Sequence, residues 1–258
     1  MQKRVSVTIL ILLLLVAVSF YFYFFSQEEN TKVGRSKEVK EKEERGEEGR
    51  TIEEIAYELK GSPYELGPLG EGSGEEIIRK DAFDCTSFVL TVVAMKTANG
   101  EDPKEKMKEI NYRSPEEISY ENRLHFSTDR NRVSEHFNDI TEEVGGDLTE
   151  KEEVILNKYI PGEGRLIDIE WEKRAEVSYI LVEDISLLIE NVPEKVGVGF
   201  VEEDSFDRGL DVVHEGFLFE GERLVHASEE KGEVVEDNFL KYLSGKGHDG
   251  VLFYEIED

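Results

Sequence analysis

The hydrophobic residues follow a helical spacing in the part of the chain before residue 164. An apolar run begins at Cys85 and recurs at helical intervals up to Asn99, where the following glycine is typical of a helix end. Thr51 and Glu54 form a capping-box pattern, which predicts a short helix through Leu59. Two further helix starts are predicted where proline enters a first helical turn, at Asp102-Pro103 and Ser114-Pro115.

The spacing changes to that of strands in the second part of the chain. β-branched and aromatic residues are concentrated in segments typical of strands, at residues 177–180, 196–201, 212–219, 224–227 and 251–256. Glu220-Gly221-Glu222 separates two of these segments, so an antiparallel hairpin is predicted there. Helices followed by antiparallel strands predict a domain of the α+β class.

The N-terminal segment is long and apolar enough to cross a membrane. Residues 5–26 carry no charge, and at about 1.5 Å per residue they can span a hydrocarbon core of about 30 Å. The run ends in consecutive aromatic residues suited to the membrane interface, and Lys3 and Arg4 favour a cytoplasmic end at residues 1–4. We predict an uncleaved single-span anchor that meets the lipid bilayer through residues 5–26, with the remainder outside the cytoplasm. The alternative is a signal peptide cleaved near Ala17-Val18-Ser19.

Residues 27–50 are predicted to be a charged linker to a folded domain at residues 51–258. The stretch at residues 37–45 has almost no apolar side chain to bury, so it is either disordered or a lone solvated helix. In either form it acts as a spacer.

The composition is strongly acidic. The formal net charge is −28, from 59 Asp and Glu against 31 Lys and Arg. This balance argues against nucleic acid as a partner, because phosphate binding needs clustered cations. Adaptation to high salt and ordinary acidic solubility both fit the charge. A single cysteine excludes an intramolecular disulfide.

That cysteine lies where a nucleophile would be placed. Asp84 is a strong N-cap residue, so Cys85 falls in the first helical turn. There the unpaired backbone N–H groups and the positive end of the helix dipole favour the thiolate. A structural cysteine would be more typical in the middle of such a helix. Cys85 is therefore a candidate nucleophile.

The predicted hairpin supplies two histidines. His214 lies at the start of its first strand and His226 near the end of its second. Folding the strands back on each other brings both imidazoles to the same end of the ribbon. With Cys85 they form a possible nucleophile, base and orienting residue, in which His214 takes the thiol proton and His226 fixes the tautomer of His214. Taken singly, each histidine is more often structural.

The motifs around these residues resemble a known family. Three of them resemble the NlpC/P60 superfamily of papain-like cysteine peptidases: Asp84-Cys85-Thr86-Ser87-Phe88-Val89, His214-Glu215-Gly216-Phe217 and Val225-His226-Ala227-Ser228. Further segments are similar to its N-acetylmuramoyl-L-alanine amidase-like branch, the DUF1460 family: Tyr64 with Leu66-Gly67-Pro68-Leu69-Gly70, Arg123-Leu124-His125-Phe126-Ser127-Thr128-Asp129 and Val177-Ser178-Tyr179-Ile180. The resemblance covers about residues 51–258.

The resemblance implies a fold, a reaction and a set of residues. The fold is a nucleophile helix packed on an antiparallel sheet, and the reaction is hydrolysis of amide bonds in cell-wall peptides, with no metal or cofactor. Cys85 matches the nucleophile, His214 the general base and His226 the orienting residue. Tyr64 matches a tyrosine that could support the oxyanion beside the Cys85 N–H. His125 and Asp129 fall in a segment expected at the substrate groove.

The chain departs from the family beside the base histidine, and other functions stay open. Where the family usually has Ser and Val, this chain has Val213 and Glu215. By strand alternation we expect Glu215 to point away from the thiol. One alternative is a zinc hydrolase with Cys85, His214 and His226 as ligands. Others are an inactive wall- or glycan-binding module on the same fold and a thiol acyltransferase.

Overall fold

The structure is a computed structural model that describes residues 49–69 and 77–256. The predicted cytoplasmic end at residues 1–4, the predicted anchor at residues 5–26 and nearly all of the linker at residues 27–50 lie outside the described residues. Within the described part, no helix is both long and apolar enough to cross a membrane.

Four helices come first along the described chain, and strands with short helices between them follow from residue 137. The helices are α1 (Ile52–Glu58), α2 (Cys85–Ala98), α3 (Pro103–Asn111), α4 (Ser127–Val133), α5 (Thr141–Gly145), α6 (Ile185–Leu188), α7 (Glu203–Phe206) and α8 (Phe239–Lys246). The strands are β1 (Phe137–Asp139), β2 (Thr149–Leu156), β3 (Lys173–Leu181), β4 (Lys195–Val201), β5 (His214–Phe219), β6 (Arg223–Ser228), β7 (Glu233–Asn238) and β8 (Gly250–Ile256). They form one 8-stranded sheet in the order β2-β3-β8-β4-β5-β6-β7, with β1 paired to β8. All of these pairings are antiparallel, so the predicted α+β class is confirmed.

The strongest sequence patterns gave the right elements. The helices predicted from Thr51 and from Cys85 are α1 and α2, the helix predicted at Pro103 is α3, and all five predicted strands are present. The helix predicted at Ser114-Pro115 is wrong, because that segment forms turns. Strands β1, β2 and β7 were missed. Strand β1 has only three residues, and β2 and β7 lie at the edges of the sheet, where charged residues are favoured and hide the apolar alternation.

Helix α2 lies in the core and packs against β5 and β6. Ten of its residues are buried, on all sides of the helix. The rings of Phe88 and Phe217 meet edge to face with centroids 5.9 Å apart, which fixes the helix on the odd-numbered face of β5. The opposite face of the sheet packs against α5, α6 and α8 through a second cluster that includes Val144, Ile185 and Phe239. Because α2 is held on one sheet face, its N-terminus is placed beside the start of β5.

Candidate active site

The first turn of α2 is held by a reciprocal cap. The Asp84 carboxylate accepts the Ser87 N–H at 2.7 Å, and the Ser87 hydroxyl accepts the Asp84 N–H at 3.0 Å. The other Asp84 oxygen accepts the Gly67 N–H at 3.1 Å, which ties the loop after Tyr64 to the helix. Cys85 is the first residue of the helix, as predicted, and it is partly exposed. The cap and the Gly67 contact therefore fix the backbone on which the sulfur is carried.

The thiol is not poised as a thiolate in this resting arrangement. Burial, followed by the charges of Glu215 and Asp84, raises the pKa of Cys85 to about 12. A hydrogen bond from the Glu215 backbone and one from the Thr86 side chain oppose this rise. The sequence-based expectation of a thiolate is therefore wrong in direction. That expectation counted the helix N-terminus, but the sequence does not reveal the burial of the thiol or the nearby charge of Glu215.

The two histidines of the hairpin are hydrogen-bonded to each other. The Nε2 atom of His214 lies 2.7 Å from Nδ1 of His226. The hairpin turn has two residues in the left-handed region, Glu220 at φ 54° and Gly221 at φ 67°. The approach of the strands requires glycine at position 216, where a Cβ would meet the Val225 carbonyl oxygen at 2.7 Å. The hairpin therefore brings the two imidazoles together, as the sequence predicted.

A carboxylate fixes the tautomers of this pair. Nε2 of His226 lies 3.2 Å from Oδ2 of Asp237, and Lys231 Nζ donates to both oxygens of Asp237 at 2.6 and 2.8 Å. An ionised carboxylate only accepts, so His226 carries its proton on Nε2 and accepts at Nδ1. His214 must then carry its proton on Nε2. Its Nδ1 lone pair remains to accept a proton.

Both imidazoles are neutral near pH 7. Burial, with the neighbouring cationic forms of His226 and His248, lowers the pKa of His214 to about 3. Burial likewise lowers the pKa of His226, although Asp237 opposes that shift. The site thus pairs a protonated thiol with an unprotonated base. Asp237 and Lys231 were missed by sequence reasoning, because they lie on β7 and the turn before it, which the pattern did not reveal.

Tyr64 lies close enough to Cys85 for their charges to interact. Its backbone pairs with Phe83, directly before the N-cap of α2, and its N–H donates to the Gly232 carbonyl at 2.8 Å. Burial and the nearby Cys85 raise the pKa of Tyr64 to about 12. Its hydroxyl is therefore protonated and can donate a hydrogen bond.

A cavity of about 450 Å³ opens on one side of the nucleophile. Its lining includes Asp84 and Thr86, on either side of Cys85, together with Leu66, Arg123 and His125. His125 is held through Nε2 by the Tyr120 carbonyl at 2.7 Å, and burial lowers its pKa. His125 therefore lines a cavity beside the candidate nucleophile, and its place in a substrate groove stays a prediction.

Asp129 lies outside the lining of this cavity. Its side chain is fully buried, and its carboxylate holds Arg113 and Lys173 in ion pairs. Arg113 in turn lies over the ring of Trp171, 4.8 Å from its centroid. The structure thus places Asp129 in a network that fixes the segment around Trp171, away from the groove wall predicted from sequence.

A second cavity, of about 400 Å³, opens at the histidine pair. His214 and His226 line it together with Glu229, Tyr242 and His248, among others. The Tyr242 ring packs on His226 with centroids 5.0 Å apart, and the charge of Cys85 contributes to the raised pKa of Tyr242. One cavity therefore lies at the helix start that carries Cys85, and the other lies at the histidine pair. Tyr242 and His248 carry no local motif that sequence reasoning could have used.

The position of Glu215 corrects a further expectation. The Glu215 side chain lies on the face of β5 opposite to that of His214, as strand alternation requires. It is nevertheless close enough for its charge to affect the thiol. It is buried at 1 % exposure and accepts hydrogen bonds from Arg130 and Tyr254. Its charge acts on Cys85.

The same side chains bear on the zinc alternative. Across residues 49–69 and 77–256, no group of three or more His, Cys, Asp or Glu side chains is placed to hold a metal ion. The zinc alternative of Cys85, His214 and His226 therefore has no ligand set within that part of the chain.

Comparison with known proteins places this geometry in a family. Residues 54–251 match the family model described as AmiA-like, N-acetylmuramoyl-L-alanine amidase-like. A Legionella pneumophila protein of the DUF1460 family has a TM-score of 0.67 and 23% identity, over 80% of this chain and 88% of its own. An N-acetylmuramoyl-L-alanine amidase from Bacteroides uniformis has a TM-score of 0.64 and 20% identity, over 83% of this chain and 100% of its own.

The structural likeness extends to proteins of other descriptions. A putative xylanase from Bacteroides fragilis has a TM-score of 0.63 and 21% identity, over 79% of this chain and 99% of its own. At these identities the likeness shows the fold alone. No curated protein matches the chain.

Proposed function

The chain belongs to the N-acetylmuramoyl-L-alanine amidase-like family, and from that premise we propose that it is a cysteine amidase acting on cell-wall peptides. Cys85 is the nucleophile, His214 the general base and His226 the orienting residue of a papain-like, NlpC/P60-type site. The observation that carries this proposal is the chain of hydrogen bonds from His214 through His226 to Asp237. It leaves one unprotonated ring nitrogen, Nδ1 of His214, at the start of β5, the strand against which α2 packs.

Catalysis begins from neutral groups. As the Cys85 sulfur attacks the carbonyl carbon, its proton passes to Nδ1 of His214. The imidazolium that forms is stabilised because His214 Nε2–H donates to His226, which is itself held by Asp237. No separate thiolate is needed before the substrate arrives, which fits the raised pKa of Cys85.

The oxyanion forms at the N-terminus of α2. The first N–H groups of a helix have no partner within it, so the Cys85 N–H can donate to the developing negative charge. The protonated hydroxyl of Tyr64 is the second donor. Collapse of the tetrahedral intermediate breaks the C–N bond, and the leaving amine takes the proton from His214. Water then hydrolyses the thioester with His214 again as base.

The two cavities accommodate the two halves of the substrate. One half lies against Leu66, Arg123 and His125, and the other lies beside Tyr242 and His248. The scissile amide then crosses above Cys85. Cell-wall peptides are the substrate class favoured by the family and by the description of the Bacteroides uniformis relative.

Product analysis tests the proposal. Murein fragments incubated with the wild-type protein should yield a new amine and a new carboxylic acid, with one water added per bond cleaved, when examined by mass spectrometry. Cys85→Ser changes one atom and preserves the fold, yet should form no product. Equal cleavage by Cys85→Ser would overturn the cysteine mechanism. A wild-type protein that cleaves none of the fragments would contradict the proposed substrate class.

We further propose that residues 5–26 anchor this domain outside the cytoplasm as an uncleaved single span. The uncharged run and its aromatic end support this location. N-terminal sequencing of the native protein tests it, because a mature chain beginning near Phe20 would mean that the segment is a cleaved signal peptide.

A further inference from the structure

A buried asparagine lies in the wall of the cavity of about 450 Å³ at the start of α2. Asn111 is the last residue of α3, and it is 1% exposed. Across residues 49–69 and 77–256, no protein group hydrogen-bonds its Oδ1 or its Nδ2. Buried polar groups of native proteins are nearly always hydrogen-bonded, and leaving one unpaired costs free energy. An unpaired amide in a cavity wall therefore indicates that a ligand supplies its partners.

The backbone that carries this amide is fixed. The Leu124 N–H donates to the Asn111 carbonyl at 2.8 Å, and the next residue, Tyr112, pairs with Arg123. Arg123 and Leu124 line the same cavity. The torsion about the Cβ–Cγ bond of an asparagine is broad, unlike the torsions between two tetrahedral carbons. The Asn111 amide can therefore turn to meet a group in the cavity while its backbone stays in place.

Several other polar groups of this wall are already engaged. The Ser87 hydroxyl accepts the Asp84 N–H, and the Asp84 carboxylate accepts the Ser87 N–H. His125 Nε2 lies 2.7 Å from the Tyr120 carbonyl oxygen. Because a carbonyl only accepts, that nitrogen carries the proton and His125 Nδ1 can only accept. Asn111 differs from these groups, since it has both a donor and an acceptor to offer a ligand.

The shape of a carboxamide matches one residue of an extended peptide. The Oδ1 and Nδ2 atoms lie side by side at the end of the side chain. The N–H and C=O groups of an extended residue likewise point to the same side, which is how facing residues of antiparallel strands exchange two hydrogen bonds. A single acetamido group is a trans amide, whose N–H and C=O point in opposite directions. It would therefore use only one of the two asparagine atoms.

We propose that Asn111 is a specificity-determining residue that binds the backbone of an extended substrate peptide, with Nδ2 donating to the C=O and Oδ1 accepting the N–H of one residue. This inference rests on the proposed function and deepens it. The contact recognises the backbone of the peptide and does not depend on a particular side chain. Leu66, Leu69 and Leu90 line the same cavity. They surround the pair with apolar surface, where hydrogen bonds are stronger.

A double-mutant cycle tests the pairing. The ligands are murein fragments in which one peptide N–H at a time is replaced by N-methyl, and calorimetry on Cys85→Ser gives Kd without cleavage. Methylation at one position should weaken binding about tenfold, the equivalent of about one net hydrogen bond. In Cys85→Ser/Asn111→Ala, the unmodified fragment should bind about tenfold more weakly, and methylation at that position should have little further effect.

Thermal stability separates a binding role from a structural one. The Asn111 side chain has no hydrogen bond to lose within the described chain, so Asn111→Ala should leave the Tm unchanged or raise it. The matched control is Asn131→Ala. Asn131 is 9% exposed, its Oδ1 accepts the Arg130 Nε–H at 3.1 Å, and it lies outside the lining of both cavities. The control should therefore lower the Tm and leave Kd unchanged. An Asn111→Ala protein that fails to fold would show a structural role and overturn the proposal.

The remaining outcomes are equally decisive. Methylation effects that are the same with and without Asn111 at every position would overturn the proposal. A fragment that lacks the sugar acetyl group should lose the same affinity in both proteins. If its loss is instead coupled to Asn111, the ligand is the acetamido group and the peptide contact is wrong. Coupled binding without wild-type cleavage removes only the proposed function, whereas cleavage without coupling removes only the role of Asn111.

Discussion

His214→Gln is expected to lower kcat/KM by roughly 10²- to 10⁴-fold, the usual contribution of a general base. Glutamine keeps a similar size but has no basic nitrogen to take the Cys85 proton. The matched control is His136→Gln, the same change at a histidine that lies outside the lining of both cavities, and it should leave kcat/KM near the wild-type value. Steady-state kinetics on murein fragments provide the measurement. Comparable losses in both variants would mean that His214 acts through the fold alone.

The same base should remain active in mild acid. The pKa of His214 is lowered to about 3 by burial and by its histidine neighbours, so the neutral form persists as pH falls. An ordinary imidazole, with a pKa near 6.5, would be largely protonated at pH 5. The kcat/KM should therefore hold between about pH 5 and pH 7. A fall centred near pH 6.5 would show that His214 titrates normally.

Arg130→Met is expected to destabilise the domain by about 3–5 kcal/mol, because it leaves the Glu215 carboxylate buried without a partner. Arg130→Met/Glu215→Gln should recover much of that loss, since neither charge then remains uncompensated. Urea unfolding of the wild-type protein and both variants measures the two differences. A double variant that is less stable than Arg130→Met would contradict this account of the ion pair.

The pH dependence of stability follows from the same pair. Burial alone would raise the pKa of Glu215, but Arg130 holds it below its ordinary value of 4.5. A carboxyl group with a lowered folded-state pKa stabilises the fold above its unfolded pKa. That contribution is lost as pH falls through the folded-state value. Wild-type stability should thus decline below about pH 4.5, and the decline should be shallower in Arg130→Met, which lacks the contribution of Glu215 but keeps those of the other carboxylates.

Local patterns were enough to predict most of the site. The N-cap at Asp84 placed Cys85 at a helix start, and the turn at Glu220 and Gly221 brought His214 to His226. Both inferences use residues close in sequence, where capping and turn chemistry decide the geometry. The N-acetylmuramoyl-L-alanine amidase-like family was also predicted from these motifs, and the match of residues 54–251 confirms it, whereas the NlpC/P60 superfamily stays a prediction.

The part of the site that the sequence did not predict depends on contacts between residues distant in sequence. Arg130 meets Glu215 across 85 positions, and no local pattern indicates that pair. Asp237 lies on β7, an edge strand with charged residues that conceal its alternation. The expected thiolate at Cys85 was wrong for the same reason, because a helix N-terminus is visible in sequence, whereas the burial of the thiol and the nearby charge of Glu215 are not.

The central claim, that Cys85 is the acylated nucleophile, is tested most directly by quenching the reaction with acid during turnover and measuring the intact mass of the protein. The account predicts an added mass equal to the acyl half of the substrate, bound to the peptide that contains Cys85 and absent from Cys85→Ser. Amide cleavage with the adduct on another residue, or with full activity in Cys85→Ser, would contradict it.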